Sequence, residues 1–261
     1  MEVCSLFSGS SGNCTYICAG DTRLLVDAGM SGSKIINALS EIDVSPNEID
    51  GILVTHEHSD HIAGVGILSR KLDIPVYATE GTWNAMASKI GNVSTKNTRE
   101  IEAGKDFYIG TVDITPYSIP HDAAAPVAYN FMYKGKKIGV CTDLGFMPKD
   151  VFCRINDCDV LLLEANHDLD MLNSGAYPFE LKRRISGSKG HLSNETCGNA
   201  LVKMAGKVKS VMLGHLSKEN NTEELAFVTI TEILKGQGIT SKDMSIEVLK
   251  RDCRSKIYNV I

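Results

Sequence analysis

The sequence predicts a single domain of mixed α/β class, and three observations lead to this prediction. Short apolar, β-branched runs of strand length alternate with helix-length segments along the chain. No convincing linker separates two halves. Strand after strand ends in a His, Asp or Glu, which is typical of a site built on loops at one edge of a sheet. We therefore expect residues 1–261 to form one domain with its chemistry at that edge.

Length and composition restrict the class of protein. A chain of 261 residues can bury a core without disulfides, and its 43% hydrophobic and 23% charged residues are typical of a globular protein. No apolar run approaches the ~20 residues that span a bilayer, and the N-terminus lacks the features of a signal peptide. The eight cysteines form no Cys-x-x-Cys pair. We expect a cytoplasmic protein with reduced thiols and no membrane association.

The net charge of −5 argues against a protein that coats nucleic acid. It does not exclude an enzyme that carries a local basic strip on its surface.

The first part of the chain is predicted to alternate strands and helices. Strands are expected over 3–7, 15–18, 23–26, 52–54 and 75–78, and helices over 33–39, 62–72 and 81–90. The Ser/Gly-rich segment 8–13 fits either a flexible linker or a tight hairpin loop near the site, and the flanking strands favour the loop. Asp27, at a strand end, is either a partner for a metal-ligating histidine or a cap for the helix from Ser31.

The second part continues the alternation. Strands are expected over 107–109, 112–119, 127–133, 138–141, 159–164, 210–213, 246–249 and 257–260, and helices over 148–155, 194–205 and 221–235. Asn221 is the expected cap of the last helix.

The segment 52–64 is the strongest functional signal. His56, His58, Asp60 and His61 follow an apolar strand within six residues. Neutral imidazoles and carboxylates suit zinc, iron or manganese. The i, i+2 spacing lets the rings of His56 and His58 point the same way from extended chain. A solvated loop with coincidental histidines is the alternative, and the density of the cluster disfavours it.

The pattern His-x-His-x-Asp-His at 56–61 resembles, without a mismatch, the signature of the metallo-β-lactamase fold superfamily. The resemblance implies a four-layer αββα sandwich, of α/β (α+β) class, with the metal site at one edge. It also implies two divalent ions per chain, with zinc, manganese and iron all possible. The implied ligands are His56, His58 and His121 for one ion and Asp60, His61 and His215 for the other, with Asp143 between them.

Each of the later ligands has an ordinary alternative. His121 and His215 follow strands and could be buried core histidines, and Asp143 could be a turn residue. Because the bridging position holds Asp and not Cys, lactamases with a Cys in the second site are a poorer match. Phosphodiesterases and glyoxalase II share the all-His/Asp set.

The sequence Gly-His-Leu-Ser-x-Glu occurs twice, at 190–195 and 214–219. Each Ser precedes a helical stretch and is a candidate N-cap. The second copy follows an apolar strand directly, which favours His215 as the metal ligand. The first copy follows the basic run 182–189, which is either a solvated helix face or a phosphate-binding strip. The candidate substrate-binding residues are Lys182, Arg183, Lys189, His191 and Ser193.

The segment Leu163-Glu164-Ala165-Asn166 resembles the His-Glu-Ala-Thr element of ribonuclease Z relatives. Leu163 stands where that element has its His, so the proton donor is expected to be His167 or His191, with Glu164 in a supporting role. Together with segment 8–13, the metal loop and both Gly-His-Leu-Ser copies, this segment resembles the bacterial YycJ/WalJ-type metallohydrolases over essentially the whole chain.

That resemblance implies a dinuclear metal-dependent phosphodiesterase that acts as a 5′-to-3′ exonuclease on single-stranded or 5′-ended DNA. A metal-bridging hydroxide would attack the phosphorus, with Asp60, His191 and His167 as the catalytic candidates. The alternative is a small-molecule hydrolase, either a cyclic phosphodiesterase or a glyoxalase II-like thioesterase. A regulatory module that kept the metal site without turnover is a third interpretation. The native metal and the oligomeric state stay open.

Overall fold

The computed structural model describes residues 1–260 and contains two mixed sheets of seven strands each. The first six strands are β1 Glu2–Phe7, β2 Cys14–Ala19, β3 Thr22–Val26, β4 Gly51–Leu53, β5 Val76–Thr79 and β6 Thr98–Ile101. The next seven are β7 Phe107–Ile109, β8 Val112–Ser118, β9 Val127–Tyr133, β10 Lys136–Cys141, β11 Val160–Glu164, β12 Ser210–Gly214 and β13 Ser245–Val248. β14, Tyr258–Asn259, returns to the first sheet.

The strand orders are β14-β1-β2-β3-β4-β5-β6 and β13-β12-β11-β10-β9-β8-β7. The helices are α1 Gly32–Ser40, α2 Ser59–Ile62, α3 Val65–Leu72, α4 Glu80–Ile90, α5 Lys149–Ile155, α6 Leu169–Ser174, α7 Phe179–Ile185, α8 Asn194–Val202 and α9 Glu223–Gly236. Two 3₁₀ turns, Pro46–Glu48 and Thr95–Asn97, complete the description. Within residues 1–260, none of the helices has the length and apolar character required to cross a bilayer.

Three apolar cores separate four layers. One core lies between the two sheets and includes the fully buried rings of Tyr129 and Phe131. A second packs α1, α3 and α4 onto the first sheet, and a third packs α5, α8 and α9 onto the second sheet. Because each sheet buries both faces, its strands read as nearly continuous apolar runs such as Val160–Glu164. The predicted αββα sandwich is confirmed.

Parallel pairing brings the functional strand ends to one edge. β3 and β4 are parallel in the first sheet, and β10, β11 and β12 are parallel in the second. β8 runs in the same direction as β10, because both pair antiparallel to β9. The carboxyl ends of these six strands therefore point the same way within each sheet, as a loop-built site requires.

The structure differs from the predicted elements at a few points. The helix expected over 62–72 is divided into α2 and α3 at Gly64, whose amide donates to the Ala28 carbonyl at 2.7 Å. A Cβ at Gly64 would lie 2.4 Å from the Met30 carbonyl oxygen, so this close approach requires glycine. The prediction also lacked β6, α6 and α7. Thr222, not Asn221, caps α9, and the Asn221 amide instead donates to the carbonyls of residues 165 and 166.

Candidate metal centre

The seven predicted metal ligands converge at the shared edge of the two sheets. His56 and His58 lie in the loop after β4, and α2 carries Asp60 and His61. The other three follow the ends of β8, β10 and β12 and are His121, Asp143 and His215. Their donor atoms form sets of three or more within 4.8 Å, of which two match the predicted sets.

The first set presents three imidazole nitrogens to one point. Nε2 of His56 lies 3.0 Å from Nδ1 of His58, and Nε2 of His121 lies 3.3 Å from the same atom. Nitrogens that share a tetrahedral zinc at 2.0–2.1 Å are roughly 3.3 Å apart. The spacing therefore fits a single divalent ion.

The second set combines a carboxylate with two imidazoles. Oδ2 of Asp60 lies 3.6 Å from Nε2 of His61 and 3.5 Å from Nε2 of His215. Asp143 lies between the two sets, with Oδ2 3.5 Å from Nε2 of His61 and Oδ1 3.8 Å from Nε2 of His121. This arrangement gives each set access to one oxygen of the shared carboxylate.

Two buried atoms of the cluster have no hydrogen-bond partner within residues 1–260. They are Oδ2 of Asp143 and Nε2 of His215, and their side chains are only 3% exposed. A buried polar atom without a partner is costly unless something absent from the protein chain satisfies it. The donor set of imidazoles and carboxylates, together with these two atoms, fits divalent zinc, manganese or iron.

Asp27 orients His61, a member of the second set, through the ring nitrogen that faces away from the cluster. Its Oδ1 accepts from the Thr55 amide at 2.8 Å, and its Oδ2 accepts from the Thr55 hydroxyl at 2.8 Å. The same Oδ2 lies 2.7 Å from Nδ1 of His61, which leaves Nε2 of that ring facing the cluster. Of the two interpretations left open for Asp27, the structure supports the partner of a histidine. The Ser31 end of α1 has no side-chain cap.

Glu164 likewise orients two histidines, one from each Gly-His-Leu-Ser copy. Its Oε1 lies 2.8 Å from Nδ1 of His191 and 2.8 Å from Nδ1 of His215. Its Oε2 accepts from the amides of Leu144 and Leu192. This fully buried carboxylate thus fixes both Gly-His-Leu-Ser copies to the end of β11.

The electrostatics of the cluster favour a bound cation. Burial lowers the pKa of His56 well below its usual range, and the neighbouring imidazoles lower it further. Burial also acts to lower the pKa of His61, but the carboxylates of Asp143, Asp27 and Asp60 outweigh it and raise that pKa to about 9. The surplus of negative charge around His61 is what a divalent ion would neutralise.

The Ser/Gly-rich segment 8–13 is a hairpin loop that packs on the metal loop, as favoured from the sequence. It joins β1 to the antiparallel β2. The Asn13 amide donates to the Asp60 carbonyl at 2.8 Å, and its side-chain nitrogen lies 3.1 Å from Nε2 of His61. The loop therefore supports the metal loop directly.

The cluster forms the floor of a surface cleft of about 480 Å³. His58, Asp60, Asp143, His191 and His215 line the cleft, whereas His167 does not. The His167 side chain is 1% exposed, and burial lowers its pKa to about 4. Of the two candidate proton donors, His191 is therefore the one that can reach a substrate.

The basic run 182–189 meets the cleft through a different residue than the sequence predicted. Lys182, Arg183 and Lys189 do not line the cleft. Within α7, Arg184 is the basic residue that meets the cleft, and Lys189 lies beyond the end of that helix. The Lys182 ammonium donates to the Asn173 carbonyl at 2.7 Å, and Arg183 pairs with Glu180 at 3.0 Å on the exposed face. Arg184 is the cation of this basic run that lines the cleft.

Ser193, a substrate-binding candidate from the sequence, makes a capping contact in the structure. Its hydroxyl accepts from the Thr196 amide at 3.1 Å and caps α8, and the residue is 5% exposed. It does not line the cleft. The capping alternative recognised in the sequence therefore describes its contacts.

Several residues that line the cleft were not among the predicted site residues, and the two cations Lys89 and Arg184 and the aromatic Tyr177 are the most relevant of them. Lys89 at the end of α4 and Tyr177 before α7 carry no sequence signal that connects them with the metal loop. Arg184 was part of the recognised basic run, but no helix was predicted there whose phase would separate it from its neighbours.

Comparisons with known proteins identify the family of this chain. The family described as beta-lactamase superfamily domain matches residues 22–216. The exodeoxyribonuclease WalJ of Streptococcus pneumoniae serotype 2 is 45% identical over 232 residues, which cover 88% of this chain and 86% of that protein. The exodeoxyribonuclease YycJ of Bacillus anthracis is 39% identical over 234 residues, 89% of each chain.

A solved structure shows the same fold at much lower identity. The metallo-β-lactamase fold protein YhfI from Bacillus subtilis superposes with a TM-score of 0.72 at 16% identity, over 99% of both chains. The matched domain, the similarity to WalJ and YycJ over most of the chain and the common fold confirm the resemblance predicted from the sequence. The chain belongs to the metallo-β-lactamase superfamily, in the same family as WalJ and YycJ.

Proposed function

We propose that this protein is a metal-dependent exodeoxyribonuclease that hydrolyses DNA from an end, in the 5′-to-3′ direction. The relatives WalJ and YycJ are named exodeoxyribonucleases and align over most of the chain. The observation that carries the proposal is the cluster of two donor sets beside one buried carboxylate, Asp143, at the floor of an open cleft.

Two divalent ions per chain are part of this proposal. His56, His58 and His121 would hold one ion, and Asp60, His61 and His215 would hold the other, with Asp143 beside both. Zinc, manganese and iron fit these donors. When bound, such ions polarise the phosphodiester, neutralise developing negative charge and lower the pKa of a water molecule.

His191 is the proposed general acid for the leaving oxygen. Its Nδ1 lies 2.8 Å from Glu164, which fixes the ring with its other nitrogen free, and its side chain is 19% exposed at the cleft. Burial acts to lower the pKa of His191, but the Glu164 carboxylate outweighs burial and raises it. The raised pKa favours the protonated form that an acid needs.

The proposed substrate is DNA with a single-stranded or 5′ end, and the proposed location is the cytoplasm. All eight cysteines are free, which fits a reducing compartment. Two cations, Lys89 and Arg184, line the cleft and favour a polyanionic substrate over a neutral thioester.

The test is turnover of DNA and RNA strands labelled at the 5′ or the 3′ end, with protein loaded with manganese, zinc or iron. We expect stepwise loss from the 5′ end of DNA. Asp60→Ala should abolish turnover because the second donor set loses its only carboxylate, while thermal unfolding should show a folded protein. Asp170→Ala, an exposed carboxylate in the first turn of α6, is the control and should keep full activity.

Two results would contradict the proposal in different ways. Turnover retained by Asp60→Ala would exclude the site assignment. No cleavage of any polymer by the wild type with all three metals would exclude the nuclease and direct attention to cyclic phosphodiesters and thioesters.

A further inference from the structure

We propose that Lys89 of α4 and Arg184 of α7 bind two backbone phosphates of one DNA strand, on the side of the cleft near the first donor set. The strand then crosses the cleft from the end of α4 to α7. This inference rests on the proposed function, since it assumes that the cleft receives DNA.

Lys89 stands on the α4 wall of the cleft. Its ammonium donates to the Glu57 carbonyl at 3.0 Å, and Glu57 lies between His56 and His58. An ammonium has three donors, so two are left for a ligand. The carbonyl contact thus anchors a positive charge next to the first donor set without neutralising it.

Arg184 stands on the wall of the cleft that α7 forms. Its Nε donates to Oδ2 of Asp122 at 2.5 Å, and Asp122 directly follows His121. Within residues 1–260 its two Nη groups have no hydrogen-bond partner. A guanidinium has five N–H donors in a planar fork, so Arg184 can keep its bond to Asp122 and present the remaining donors to a phosphate.

Both cations are therefore anchored to chain neighbours of the first donor set, His56, His58 and His121. The side of the cleft near Asp60 and His215 offers neutral groups instead, from Ser10, Asn166 and Ser217. This asymmetry of charge gives the strand a fixed path. Phosphates that flank the scissile bond lie on the side of the first donor set, where two cations face them.

The shape of the cleft favours a single strand over a duplex. A volume of about 480 Å³ is within the range of pockets for one small ligand and is too small for a double helix. Tyr177, Leu181 and Ile185 line the α7 wall and offer aromatic and apolar surface to an unstacked base. A cation on each wall and an apolar face beside one of them are the features expected of a groove for single-stranded nucleic acid.

The test measures binding of a fluorescent single-stranded DNA with phosphorothioate linkages, which resist cleavage, to the manganese-loaded protein. Lys89→Gln and Arg184→Gln should each weaken binding about tenfold, the lower range for a charge-assisted hydrogen bond. Each should also reduce the slope of log affinity against log salt by about 0.7. Lys89→Arg, which keeps the charge, should recover most of the binding, whereas Arg184→Lys should recover the salt slope but only part of the affinity, because an ammonium has no planar fork.

The matched control is Arg183→Gln, one residue along the same helix. Arg183 is 69% exposed, pairs with Glu180 and is directed away from the cleft, so this variant should bind DNA like the wild type. Equal affinity of the wild type, Lys89→Gln and Arg184→Gln would overturn the inference while leaving nuclease activity of the wild type intact. A wild type that neither binds nor cleaves DNA would overturn the proposed function and the inference together.

Manganese binding distinguishes a phosphate contact from an indirect effect. Because Arg184 pairs with Asp122 beside His121, its loss could act on the metal centre instead of on DNA. We expect Arg184→Gln to bind manganese as tightly as the wild type. A loss of manganese affinity as large as the loss of DNA affinity would show that Arg184 acts through Asp122, and would overturn its assignment as a phosphate ligand.

Discussion

Three residues at the metal centre have a left-handed backbone conformation. Asp27, Asp143 and His215 have φ values of 61°, 61° and 56°. This region is uncommon for residues other than glycine, and Asp and Asn tolerate it best. Each of the three directly follows the end of a strand or lies within two residues of it, so the strained residue redirects the chain and aims its side chain into the cluster.

At the residue scale, we predict that Asp27→Asn weakens manganese binding about 10- to 100-fold, because His61 loses the carboxylate that orients its ring. Asparagine accepts the left-handed conformation, so the change removes charge without adding backbone strain. The measurement is manganese affinity by competition with a chelator, with urea unfolding to check the fold.

Asp43→Asn is the control for this prediction, because Asp43 is exposed and has a similar φ of 57°. It should bind manganese like the wild type. If Asp27→Asn did the same, Asp27 would only fix the backbone of its loop.

The sequence predicted the metal-ligand candidates better than the residues that hold them. His56, His58, Asp60 and His61 are close in the chain, so their spacing alone carries the signal. Glu164 contacts His191 and His215 across 27 and 51 residues, and no local pattern encodes such a contact. For Asp27 the sequence left two interpretations open for the same reason.

At the scale of the element, the phase of α7 and the cap of α8 decide which residues meet the cleft. None of the residues of α7 is buried, so no apolar stripe in the sequence fixes its orientation. The basic run 182–189 was recognised, but Arg184 could not be chosen over Lys182 and Arg183 without the helix in place. Tertiary contacts such as the pair of Arg184 with Asp122 supply that orientation.

We predict that Ser193→Ala lowers the free energy of unfolding by about 1 kcal/mol, the usual loss for an N-cap, and leaves DNA affinity within about twofold of the wild type. Ser193→Asn should restore stability because its side chain can cap α8. Urea unfolding and the DNA-binding assay above measure the two effects. A tenfold loss of DNA affinity in Ser193→Ala, without a change in stability, would return Ser193 to the substrate site.

At the scale of the whole molecule, the sandwich explains how residues as far apart in the chain as Asp27 and His215 meet at one place. Parallel pairing within each sheet aligns the carboxyl ends of neighbouring strands, and packing of the two sheets brings both sets of ends together. The alternation of strands and helices predicted the class of fold. The order of strands depends on pairing between distant segments, so the resemblance to a known superfamily was needed to predict the sandwich. The assignment of residues 1–261 to one domain stays a prediction.

We propose that these strand ends together build one centre for two divalent ions. The most direct measurement is the number of manganese ions bound per chain, by equilibrium dialysis of the wild type and of His58→Ala and His215→Ala, one from each donor set. We predict two ions for the wild type and one for each variant. One ion or none in the wild type, or two ions in both variants, would show that these residues do not form a centre for two ions.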